Sequence, residues 1–196
     1  MSSPNNELLW TVIGLILTIG GTFVEAFVTN FPWYWMEEGI KAHSLGITFQ
    51  VAAVLFTACL GGKRAGALSQ VAYITLGLAW LPVFAQGGGL DYLTQPTFGY
   101  IIGFIPGAWY CGVVAFRQEK QLEWLGLSCL LGLLIIHTVG IIYLVGLYFF
   151  KLIILEVTMP LLPAILEYSW QPLGSQLALV CAVAVATYGL RNLLFY

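Results

Sequence analysis

The sequence predicts an all-α integral membrane protein, a single-domain bundle of six transmembrane helices with both termini in the cytoplasm. Three observations carry this. Of 196 residues, 60% are hydrophobic and only 8% charged, against about a quarter charged in a soluble domain. Six apolar stretches approach the ~20 residues a helix needs to cross about 30 Å of hydrocarbon. The connections between them alternate in basic content, as inward and outward loops do.

Taken in order, the first helix is expected at about 8–28, with its one internal charge, Glu25, near enough to its end to reach the interface. Met1 to Glu7 lacks the basic flank of a secretory signal, so this helix is expected to be retained. The second runs about 46–61 and the third 65–84, joined by a turn carrying Lys63 and Arg64. The fourth spans 97–116, followed by Arg117 and Lys120; the fifth spans 124–150 and the sixth 173–194. The loop 85–96 has no basic residue. Basic residues favour the cytoplasmic side, which puts the second and fourth connections, and both termini, inside. Arg191 agrees, whereas Lys41 and Lys151 run against it singly.

The outward connections are unusual. Residues 29–45 hold Phe31, Trp33, Tyr34, Trp35 and Met36, then Glu37 and Glu38. They read either as an interfacial aromatic belt or as an aromatic flap over an outward pocket. Residues 151–172 are apolar but broken by Pro160, Pro163 and Pro172, and carry Glu156, Glu167 and Trp170. Prolines at this density oppose one continuous spanning helix, so an interfacial or partly re-entrant segment is expected. In residues 87–104, three glycines lead through Pro96 into an apolar helix. Gly99 and Gly103 share one helical face, beside Tyr100 and Phe104. This is either a glycine-lined mouth for a small molecule or a tight loop with a small-residue helix contact.

Chemistry-bearing motifs are sparse. His137 lies mid-span with Tyr143; without a neighbouring Cys, Asp or Glu in sequence it is expected to hydrogen-bond to another helix. His43 lies in a loop. Cys59, Cys111, Cys129 and Cys181 sit in apolar runs without metal-ligand spacing and read as small buried residues. No metal, cofactor or catalytic site is expected. The absence of a Walker sequence excludes ATP binding through a phosphate loop, and no basic patch points to nucleic acid. The net charge of -2 identifies no partner.

The ordered pieces of the middle of the chain resemble the BioY family, the biotin-capturing S components of energy-coupling factor transporters. Ile47-Thr48-Phe49-Gln50 is similar to that family's Ile-Thr-Leu-Gln; Gly61 to Ser69 is similar to its basic turn. Tyr73 to Gly77, Leu81 to Ala85, and Pro96-Thr97-Phe98-Gly99-Tyr100-Ile101-Ile102-Gly103-Phe104 follow in the family's order. The family's Pro-Gly-Asp-x-x-Lys, whose Asp and Lys hold the ring system of biotin, has two possible registers here, at Pro160 or Pro172. The first loses the Asp; the second puts Ser175 and Ala178 at the two polar positions.

The resemblance implies the S-component fold and a non-enzymatic uptake subunit in a prokaryotic plasma membrane. Biotin or another small vitamin would bind on the outer side, with Gln50, Tyr73, Thr97, Tyr100, Ser175 and Gln176 as pocket candidates. Ser175 and Gln176 could supply neutral donors and acceptors in place of the acid–base pair. An energy-coupling transmembrane protein and ATPases would be the partners, surrounded by membrane lipid. Gly14, Thr18 and Thr22, a small-residue stripe on the first helix, are the candidate docking face, or else pack within the bundle. The rival reading is a structural or assembly subunit of a larger membrane complex that kept the bundle and lost the ligand.

Overall fold

A computed structural model describes residues 4–117, 121–150 and 160–194. Lys120, Lys151 and Glu156 lie outside them. Among the described residues, five helical segments are long and apolar enough to cross a membrane. They are α1 (Pro4–Phe23), α3 (Gln50–Ala79), α4 (Phe98–Ala115), α5 (Leu122–Phe149), and a last segment built from α6 (Leu161–Ile165), a π-helical turn (Leu166–Trp170) and α7 (Gln171–Leu194). The short α2 (Trp35–Glu38) lies between β1 (Glu25–Thr29) and β2 (Ala42–Thr48).

α3 is a helical hairpin. Gly62 has φ 82° and ψ 179°, a backbone region nearly closed to residues with a Cβ. Gln50 and Tyr73 lie 23 positions apart yet bond at 2.9 Å; a straight helix would separate them by about 34 Å. The arms 50–61 and 63–79 therefore fold back on one another, which accounts for two of the expected helices. At this end Phe116 covers Gly62. Arg64 lies 3.9 Å from Glu7 of α1, and Arg191 of α7 donates to the Ala115 carbonyl at 2.7 Å. The start of α1, the α3 turn and the end of α7 thus share one end of the bundle.

The helices approach closely because small residues face each other. A Cβ on Gly103 would fall 2.8 Å from the Ile136 carbonyl oxygen, and one on Gly107 2.7 Å from the Ile136 side chain. One on Gly99 would overlap Tyr143. These glycines serve the α4–α5 contact. The Gly14–Thr18–Thr22 stripe is likewise internal: Thr18 and Thr22 are buried, and a Cβ on Gly14 would overlap Thr57 and Ser69 of α3. This corrects its reading as a docking face, since a partner cannot reach it.

Other expectations also change. The first helix stops at Phe23, and residues expected in it and in the second helix form a short antiparallel hairpin on what is otherwise a helical bundle, as its fold class predicts. Its register pairs Phe27 with Ser44 and Thr29 with Ala42, with an irregularity between Glu25 and Phe27. Ser44 donates to Glu25, giving that carboxylate a local partner. The third helix ends at Ala79, and Phe84 turns back into the core beside Tyr73 and Tyr92. The last helix begins before the prolines of the segment have passed. Pro163 falls in the first turn of α6, where its missing N–H is harmless, and Pro172 follows the π turn, where the i→i−4 ladder is already shifted. Residues 161–172 are therefore helical and continuous with α7, while 151–159, the rest of the segment expected to be interfacial or partly re-entrant, lie outside the described residues.

Candidate functional site

At the end opposite Gly62 the bundle holds a recess of about 220 Å³, a little below the roughly 300–1,000 Å³ usual for small-molecule clefts. Its rim comes from β2 through Ile47 and Thr48, and from the post-α3 loop through Ala85 and Gln86. Its walls are Gln50 of α3, Thr97 and Tyr100 at the head of α4, His137 of α5, Tyr168, and Gln176 of α7. Among the described residues, none that lines the recess is Asp, Glu, Lys or Arg.

Hydrogen bonds fix most of these polar groups. Gln50 Nε2 donates to Tyr73 Oη at 2.9 Å, and Tyr73 donates onward to the Val83 carbonyl at 2.9 Å. Thr97 Oγ1 lies 3.2 Å from Tyr92 Oη, and Tyr100 Oη lies 2.7 Å from Ser169 Oγ. His137 Nε2 meets Gln176 Oε1 at 2.6 Å. A carbonyl oxygen only accepts, so Nε2 carries the proton. The Tyr100 ring stands edge-on to His137 with centroids 5.7 Å apart.

Of the six pocket candidates, Gln50, Thr97, Tyr100 and Gln176 come together on the recess. Tyr73 is fully buried one layer behind, holding Gln50. Ser175 faces away and donates to the Leu45 carbonyl at 2.8 Å, tying α7 to β2. His137, Gln86 and Tyr168 line the recess without having been singled out for it. For His137 the signal was present: an imidazole in an apolar span needs a partner, and the expected helix–helix bond is the one to Gln176 on α7. The aromatic connection 29–45 forms an exposed tip in which the rings of Phe31 and Trp33 stack at 4.8 Å; it enters the recess only through Ile47 and Thr48 beyond it.

The cysteines divide. Cys59 Sγ lies 3.6 Å from Cys111 Sγ and 3.5 Å from Cys129 Sγ, and all three free thiols are buried. Linear spacing hides this convergence because three different helices supply it. A soft metal ion would find ligand atoms here, but thiols sealed among apolar groups also pack as small hydrophobes. Cys181 is exposed, contrary to its reading as buried.

Comparison with known proteins places the chain. The family model described as BioY family matches residues 5–194. A probable biotin transporter BioY of Lysinibacillus sphaericus is 44% identical over 98 residues, half of this chain and half of that one. The biotin transporter BioY of Thermotoga maritima is 41% identical over 98 residues, covering 50% of this chain and 57% of its own. These matches thus span only about half the length of those relatives. An uncharacterized 21.2 kDa protein of Cyanophora paradoxa, from the psbX-ycf33 intergenic region, is 27% identical across 95% of both chains. A crystal structure of the S-component for biotin from an ECF-type ABC transporter superposes with a TM-score of 0.71 at 19% identity, over 98% of this chain and 95% of that one; it shows the fold. This integral membrane chain belongs to the BioY family.

Proposed function

We propose that this chain is a substrate-capture subunit that binds biotin in the recess for ATP-driven uptake across a prokaryotic plasma membrane, together with an energy-coupling transmembrane protein and ATPases. The observation that carries this reading is the recess itself: a small polar-and-aromatic cavity, uncharged among the described residues, at one end of the bundle of a BioY-family chain. Relatives named as biotin transporters support the ligand. The end bearing Lys63 and Arg64 is the cytoplasmic one, so the recess opens outward. Gln50, Thr97, Tyr100 and Gln176 contact the ligand, with Tyr73 and Ser175 supporting them from behind and from the side.

The test is equilibrium binding of labelled biotin to the purified protein. Saturable binding, weakened about ten-fold or more by Thr97→Val or Tyr100→Ala, is the expected outcome. No saturable binding would remove biotin as the ligand, and a thermal-shift screen of other small vitamins would follow. Co-purification with a coupling protein and ATPases checks the partners; recovery within another stable membrane complex would favour an assembly role instead.

A further inference from the structure

The recess contains a feature that selects among ligands of one shape. Gln176 and His137 stand on its wall, and the side-chain carbonyl of Gln176 is already occupied by His137 Nε2–H at 2.6 Å. With one lone pair of Oε1 so engaged, the oxygen is drawn toward His137, and the amide NH2, a pure donor, is the group of Gln176 with no partner among the described residues. Among the described residues no lining side chain carries a formal charge, so a charged ligand head would leave water without a counter-ion from them, at high cost.

From this we propose that Gln176, oriented by His137, is a specificity-determining residue that makes the recess accept an uncharged cyclic urea or amide head through its carbonyl oxygen, and reject a cationic head of the same shape. The inference rests on the biotin-capture reading and deepens it. His137 is a positioning residue: its N–H holds the amide in one of its two orientations, and its Nδ1, buried and without a partner among the described residues, adds no competing contact from them. Where a carboxylate stands at such a wall, it accepts hydrogen bonds from a cationic head and pairs with its charge. A neutral amide held donor-outward brings no charge to pair with it and offers its donors first.

The experiment compares biotin with 2-iminobiotin, in which the ureido oxygen is replaced by a protonated imino nitrogen, so that a cationic donor stands where biotin has an acceptor. Wild-type protein is expected to bind biotin at least about ten-fold more tightly. Gln176→Glu keeps an acceptor for His137 Nε2–H while placing negative charge on the wall, and is expected to shrink that ratio by about ten-fold or invert it. His137→Leu frees the amide to turn over, and is expected to shrink the ratio by a smaller factor. The ratio is internal to each protein, so partial loss of folded material does not mimic the effect. Equal binding of the two ligands by wild type, or an unchanged ratio in Gln176→Glu, would overturn the proposal while leaving biotin capture standing. Failure of wild type to bind biotin would instead remove the capture reading, and this inference with it.

Discussion

The two ends of the bundle are made by the same helices and behave as opposites. Around Gly62 the contacts are made by Cys59, Gly66, Ala108, Cys111 and Gly112, and a Cβ on Gly112 would overlap the Lys63 backbone. Around the recess, α3, α4 and α5 present Gln50, Tyr100 and His137 instead. Small residues let the backbones touch and leave nothing open. Long polar and aromatic ones hold the helices apart and hydrogen-bond across the gap. Closure and opening are therefore written into residue size along single helices, and substitutions at the two ends should fail differently.

The largest effect is expected at the closed end. Gly112→Val forces a side chain into the α3 turn, and overpacking of this kind costs about 1–3 kcal/mol or more. A marked fall in melting temperature and in folded yield from detergent is the expected result; unchanged melting would mean that the two ends are not so different. At the open end, the near-isosteric Thr97→Val should change melting far less, by about the one hydrogen bond to Tyr92, while reducing biotin binding about ten-fold or more, and the contrast between these two variants is the sharpest check of the comparison. Ser175→Ala removes one hydrogen bond between α7 and the hairpin, worth about 0.5–1.5 kcal/mol. Faster amide exchange at residues 42–48, with the α3 turn unaffected, would locate that loss at the open end. Smallest of all is Trp33→Ala on the exposed tip: a change in stability within about 0.5 kcal/mol is expected, and a larger loss would show that the tip is bound into the fold.

The spans were legible in the sequence because crossing hydrocarbon imposes a length and a composition on a helix. The chain reversal was legible too, since Gly61-Gly62-Lys63-Arg64 joins backbone freedom to charge. The hairpin was not. Phe27 and Val28 continue the apolar run of α1, and nothing in hydropathy says where helix yields to strand. Proline misled at the start of the last segment: the cost of Pro163 and Pro172 was assigned as if both sat mid-helix, whereas one lies in a first turn and the other follows a π turn. At the site, Thr97, Tyr100 and Gln50 stood out beside recognisable motifs. The partner of His137 could not be read, because it lies 39 positions away and only the folded bundle joins them.

The brevity of the first α3 arm has a consequence for the surrounding lipid. Residues 50–61 rise only about 18 Å, well short of an acyl layer of about 30 Å. Beyond its Gln50 end the chain continues back into the β-hairpin, but a two-stranded ribbon leaves the outer main-chain groups of both strands unpaired, so it suits the polar interface and does not extend the span through hydrocarbon. A bilayer beside so short an arm accommodates it by thinning locally or by letting flanking polar groups reach inward. A thicker bilayer would raise that mismatch, which makes membrane thickness itself a load on this side of the bundle.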